Sequence, residues 1–177
     1  MVDGASDHSS DTGSMPHPDR EHEIRTEARR HPPAQLSPAG MSGIRRLLES
    51  SLYCEDLGRS LSFYQELLGL VQLFRDDRLA ALDAGGGTVL LLFRRTASAD
   101  GVTTPGGFIP PHDGSGPVHL ALAVDPDNLQ LLEERLLAHG VSIESAIRWP
   151  RGGRSIYCRD PDGHSLELAT PGVWPTY

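Results

Sequence analysis

The sequence predicts an α+β fold: two βαβββ modules paired into a cupped mixed sheet. Three observations predict it. The same order of elements is written twice, each copy stops its helix at a glycine, and chemistry-bearing residues recur at matching strand positions. The first copy, "LLESSLYCEDLGRSLSFYQELLGL", begins at Leu47, and the second, "PVHLALAVDPDNLQLLEERLLAHGV", at Pro117. Self-similarity on this scale is the mark of a duplicated supersecondary unit.

Each copy opens with a β-prone run, Leu48–Cys54 and Val118–Val124. An Asp-containing turn follows, Glu55-Asp56 and Asp125-Pro126-Asp127, placed to cap a helix. In the first helix Leu57, Leu61, Tyr64, Leu67 and Leu68 fall at helical spacing. In the second, Leu129, Leu132, Leu136 and Leu137 do so. Gly69 and Gly140 then stand where a helix C-cap wants a left-handed residue. Three short extended runs follow each glycine: Val71–Arg75, Arg78–Asp83 and Thr88–Arg94, then Ser142–Arg148, Arg154–Arg159 and Ser165–Thr170. "DAGGG" and "DPDGH" supply the turns between them. The glycines at 85–87 have no helix after them, so they read as a turn and not a phosphate loop. Module 1 therefore spans 44–97 and module 2 spans 117–172. Residues 98–116 form a long Gly/Pro-rich connection between them.

Composition bounds what the chain does. It has 177 residues and a net charge of −8. Residues 1–40 are rich in Ser, Asp, His, Pro and Arg and bury too little apolar surface to offset their ordering entropy, so a disordered tail is expected. Four of the eight histidines lie in that tail, widely spaced, and read as composition rather than a site. The remaining 41–177 form one domain of ordinary size, and Met41 is a candidate start. No basic patch points to nucleic acid, and an acidic surface disfavours anionic membranes. No apolar run spans a bilayer, and no secretory leader is visible. Cys54 and Cys158 are too few for a disulfide framework, so a reducing cytoplasm is the expected location.

The repeat gives one residue particular weight. In "HSLELA", Glu167 sits on the strand face opposite Leu166 and Leu168. Aligning the copies puts Glu49 opposite His119 and Leu91 opposite Glu167. If the two halves curl and pair, these four positions converge. Two carboxylates and an imidazole facing one another repel or lose solvation unless something balances them. A divalent cation does so, and this donor set suits Fe, Mn, Co, Ni or Zn. Three protein ligands, Glu49, His119 and Glu167, leave positions open, as in catalytic sites.

"LYCEDLGRSLSFYQELLGL", "GPVHLALAV" and "YCRDPDGHSLELA" resemble the modules of the vicinal oxygen chelate superfamily, which includes glyoxalase I, extradiol dioxygenases, fosfomycin resistance proteins and bleomycin-binding proteins. The resemblance covers about residues 44–172. It implies a cupped fold around a metal, with ligands from the first and last strands at Glu49, His119 and Glu167. It also implies a small-molecule substrate with adjacent oxygens, and a homodimer. The reaction would be that of a lyase or isomerase, a ring-cleaving dioxygenase or a detoxification transferase. The alternative is a non-catalytic, bleomycin-resistance-like binding protein. Glu49 replaces the usual histidine, and Leu91 stands where glyoxalase-type isomerases place a carboxylate. A proton acceptor must then come from elsewhere, and Tyr53, Tyr157 and His112 are the candidates. Arg148, Arg151 and Arg154 in "RWPRGGR" are candidates for meeting an anionic substrate.

Overall fold

A computed structural model describes residues 43–177 of the chain. The tail at 1–40, expected to be disordered, lies outside the described residues, as does Met41. Module 1 runs β1 (Glu49–Cys54), α1 (Leu57–Leu61) continuing as a π-turn (Ser62–Leu67), β2 (Val71–Arg75), β3 (Leu79–Asp83) and β4 (Val89–Arg94). Module 2 runs β7 (His119–Ala123), α2 (Pro126–Ala138), β8 (Ser145–Arg148), β9 (Arg154–Arg159) and β10 (Ser165–Ala169). The connection holds a short hairpin, β5 (Val102–Thr104) and β6 (Gly107–Ile109). The strand orders are β1-β4-β3-β2 and β7-β10-β9-β8, so both modules have one topology, with the first and last strands adjacent.

The equivalence extends to register. In module 1 Glu49 lies beside Val89 and Ser51 beside Leu91. In module 2 His119 lies beside Ser165 and Ala121 beside Glu167. The sequence alignment of Glu49 with His119, and of Leu91 with Glu167, is thus also a spatial one.

Period-two alternation sorts the faces. Leu52 and Cys54 of β1, Ala80 and Leu82 of β3, and Leu90 and Leu92 of β4 are buried in one cluster with Leu57, Leu61 and Tyr64 of the first helix. Leu166, Leu168, Ile156 and Cys158 join the same cluster with Leu129 and Leu136 of α2. The opposite faces carry Glu49, Ser51 and Tyr53 in module 1, and His119, Tyr157 and Glu167 in module 2.

Helix ends follow the sequence signals in part. Asp56 caps α1, its side chain accepting from Arg59 N at 3.0 Å. Asp125 caps α2 without a side-chain bond, and Pro126 takes the first turn, where a missing N–H costs nothing. Gly69 and Gly140 have φ of 82° and 77°, as left-handed C-caps require. Helix 1 is not a plain α-helix. Its second half widens into a π-turn, which brings Phe63, Tyr64 and Leu67 all into the core and leaves Leu68 at the margin. No helix among the described residues is long and apolar enough to cross a membrane.

The "RDPDGH" turn docks module 2 onto module 1. Tyr64 OH donates to Asp160 Oδ2 at 2.9 Å, and His164 Nδ1 lies 2.8 Å from the same oxygen. Asp160 Oδ1 accepts from the backbone of Asp162 at 3.0 Å and of His164 at 2.8 Å. Asp162 in turn accepts from Glu55 N at 2.8 Å and from the Ser60 hydroxyl at 2.7 Å. Burial and the Asp160 carboxylate push the Tyr64 phenol far up, so it stays a donor. Leaving buried donors unpaired is costly, so Asp160→Ala is expected to destabilise the fold by about 3 kcal/mol and Tyr64→Phe by about 1 kcal/mol. Urea titrations followed by circular dichroism check both, and an unchanged midpoint for Asp160→Ala contradicts the docking role.

Candidate active site

Module 2 presents a buried carboxylate with an orienting shell. Glu167 is only 6% exposed. Its Oε1 accepts from the Ser155 hydroxyl at 2.5 Å, and Ser155 Oγ accepts from Trp149 Nε1 at 2.8 Å. Its Oε2 lies 3.3 Å from His119 Nε2. Hairpin register puts Tyr157 directly across from Glu167. The Tyr157 ring stacks on His119 with centroids 6.3 Å apart. Burial and then the Glu167 carboxylate raise the Tyr157 pKa, so its phenol stays protonated at neutral pH.

His119 and Glu167 fit a divalent cation. One oxygen of the carboxylate is held by Ser155, which leaves the other facing the imidazole nitrogen. A carboxylate oriented by a hydroxyl, itself oriented by an indole, is the kind of outer support that metal ligands use. These two residues supply two donors. Among the described residues, no group of three or more His, Cys, Asp or Glu lies close enough to hold an ion within one chain. Glu49, the third expected ligand, is placed instead in the concavity of module 1.

That concavity is lined by Glu49, Ser51, Tyr53, Arg78, Leu91 and His112, among others. His112 is not a free loop residue: its Nδ1 shares a 2.7 Å hydrogen bond with Tyr53 OH. Burial and then Asp113 raise the Tyr53 pKa. Leu91 leaves this face without a second carboxylate, as its identity implies.

The arginines divide. Arg151 donates to Val173 O, which ties its loop to the C-terminal segment. Arg154 is half-buried and Arg148 exposed. Both cysteines are free and buried, and burial pushes the Cys158 thiol up to about 11, so neither environment activates a nucleophile. Sequence reasoning missed Ser155, Trp149 and Arg78. Ser155 had a signal, since it lies two residues before Tyr157 and shares its strand face. Trp149 and Arg78 had none, because loop and turn geometry brings them in.

Comparison with known proteins agrees with this architecture. The model of the Glyoxalase/Bleomycin resistance protein/Dioxygenase superfamily matches residues 43–168. The chain is 32% identical over 128 residues to a glutathione transferase FosA from Serratia marcescens, covering 71% of this chain and 80% of that protein. It is 31% identical over 123 residues, 67% of its length, to a catechol-2,3-dioxygenase from Bacillus subtilis, of which it spans only 39%. Among solved structures, a lactoylglutathione lyase from Agrobacterium tumefaciens superposes with a TM-score of 0.67 at 28% identity, over 75% of this chain and 98% of that one.

The support under Glu167 is testable by stability. Ser155→Ala leaves a buried carboxylate oxygen without its donor and is expected to cost about 1–3 kcal/mol. The same change in a Glu167→Gln background should cost less, because the charge that needs the donor is gone. A double-mutant cycle by chemical denaturation reads the coupling, and a coupling of zero removes Ser155 from the site.

Proposed function

The chain belongs to the Glyoxalase/Bleomycin resistance protein/Dioxygenase superfamily, and from that premise we propose that it is a divalent-metal-dependent enzyme acting on a small molecule with adjacent oxygens. The observation that carries this reading is the Glu167–His119 pair, a buried carboxylate held by Ser155 with its other oxygen 3.3 Å from an imidazole nitrogen. Binding without chemistry, as in drug sequestration, gives that pair no use. The names of the relatives span a dioxygenase, a glutathione transferase and a lyase, so the reading extends to the class of chemistry and not to one reaction.

Glu49, His119 and Glu167 are the proposed ligands. Glu49 holds the position in module 1 that His119 holds in module 2, yet the two do not meet within one chain. A two-fold dimer resolves this. Among the described residues strands β1 and β7 are both sheet edges, and Leu47, Leu48 and Val118 beside them are exposed apolar residues. Unpaired edges with apolar flanks invite pairing with another chain. In a homodimer that brings the module 1 concavity of one protomer against the module 2 concavity of its partner, each site takes His119 and Glu167 from one chain and Glu49 from the other. An isologous pairing makes two such sites.

When bound, the ion supplies Lewis-acid stabilisation of charge developing on adjacent substrate oxygens. The chain's own residues position and exclude. Ser155 and Trp149 fix the Glu167 carboxylate, Tyr157 stacks on the His119 ring, and Leu79 and Leu91 give the module 1 concavity part of an apolar wall. The buried free thiols fit a reducing, cytoplasmic setting.

Glu167→Ala is expected to lose bound metal in elemental analysis while keeping a folded circular dichroism spectrum, and full metal stoichiometry in that variant rules Glu167 out as a ligand. Sedimentation of the wild type should give the mass of two chains. Mixing Glu49→Ala with Glu167→Ala chains should restore one intact site per heterodimer if the sites are shared. Metal content that does not recover on mixing contradicts the shared site.

A further inference from the structure

Past β10 the chain turns back on module 2. Residues 171–177 lie beyond the match to the family model, which stops at 168. Gly172 N donates to Tyr177 O at 2.7 Å and Tyr177 N donates to Trp174 O at 3.1 Å, which folds the segment into a turn. The Tyr177 hydroxyl reaches two carbonyls, Ala169 O at 3.0 Å and Val124 O at 3.3 Å. Ala169 closes β10 and Val124 follows β7, the strands of Glu167 and His119. Burial raises the Tyr177 pKa, so the phenol keeps the proton this contact needs.

The same segment seats the loop between β8 and β9. Gly153 and Gly172 meet backbone to backbone: a Cβ on Gly153 would lie 2.7 Å from Gly172 C, and one on Gly172 would lie 2.5 Å from Gly153 N. Gly172 also has a φ of 106°, which glycine adopts without strain. Arg151 donates to Val173 O on that segment. Within the loop Trp149 N donates to Gly153 O at 2.8 Å and Gly152 N donates to Trp149 O at 2.9 Å. The place of Trp149 therefore follows from where Gly153 is seated.

From Trp149 the path runs to Glu167 through one hydroxyl. An indole N–H only donates, and a serine hydroxyl has a single proton. Trp149 Nε1 donates to Ser155 Oγ at 2.8 Å, which takes a lone pair and leaves the Ser155 proton for Glu167 Oε1 at 2.5 Å. We propose that residues 171–177 are a strap that positions the Glu167 carboxylate, with Trp149 and Tyr177 as its positioning residues. Trp149 aims the Ser155 proton at the carboxylate. Tyr177 ties the strap to the ends of the strands that carry Glu167 and His119. The strap thereby sets how tightly, and in what geometry, Glu167 meets an ion. The inference rests on the metal-site reading for the use of the carboxylate and not for its positioning.

The test uses the full-length chain and Co²⁺ alone as the probe. Trp149→Phe keeps an aromatic ring and removes the N–H, and Tyr177→Phe removes only the hydroxyl. Both are expected to weaken Co²⁺ binding and to shift the visible band of the bound ion. For Trp149→Phe the loss should be about 10-fold, the size seen when an outer partner of a metal ligand is removed. A second measurement needs no metal. In urea titrations Trp149→Phe should lower the midpoint less in a Glu167→Gln background than in the wild type. Unchanged Co²⁺ affinity and band in either strap variant, with stability alone reduced, would leave the segment a structural role and overturn the proposal. A Trp149→Phe midpoint shift of equal size in both backgrounds would overturn it too. A wild type that binds no Co²⁺ but keeps the background dependence would instead sink the metal reading and keep the positioning.

Discussion

The arrangement depends on two aspartates in one turn. Asp160 and Asp162 belong to module 2, yet they accept hydrogen bonds from the Tyr64 phenol, the Ser60 hydroxyl and the Glu55 amide of module 1. The turn joins β9 to β10, and those strands carry Ser155, Tyr157 and Glu167. Docking the turn on the first helix therefore also sets which way the concave face of module 2 looks. A π-turn in that helix is part of the same solution, since it swings Tyr64 fully into the core, where its hydroxyl reaches Asp160. The buried carboxylate of Asp160 is tolerable because donors surround it.

Glu167 poses the same physical problem with a different answer. It too is a buried acid, but its partners are the Ser155 hydroxyl, the Tyr157 phenol and the His119 imidazole of its own module. Asp160 and Glu167 lie close together in one hairpin, yet Asp160 bonds the first helix of module 1 whereas Glu167 stands on the strand face away from the core, beside His119. The near-symmetric duplication explains why the module 1 counterpart is so unlike it: Leu91 took the apolar option at the equivalent position, and Glu49 supplies the acid from the neighbouring strand.

Much was legible in the chain before folding. Alternation along "LESSLY", "VHLALA" and "HSLELA" assigned Glu49, His119 and Glu167 to the faces they occupy, because a strand has only two sides. The repeat gave their equivalence, and the observed registers in the two modules match it. Helix stops at Gly69 and Gly140 and the turns at 85–87 and 160–163 followed from residues that accept positive φ at low cost. The hairpin within 98–116 was not legible, since its three-residue strands are too short to show a period.

By itself, then, the sequence determined the duplicated architecture, the strand faces and the identity of the candidate ligands, since these follow from local periodicity and from the backbone freedom of individual residues. Only the tertiary structure decided that Tyr157 lies across from Glu167, that Ser155 and Trp149 support that carboxylate, and that His112 folds back onto Tyr53. It also decided that Glu49 lines the concavity of module 1, which neither His119 nor Glu167 lines. Hairpin register, loop paths and the relative placement of two sheets depend on contacts between residues distant along the chain, and no local pattern carries that information.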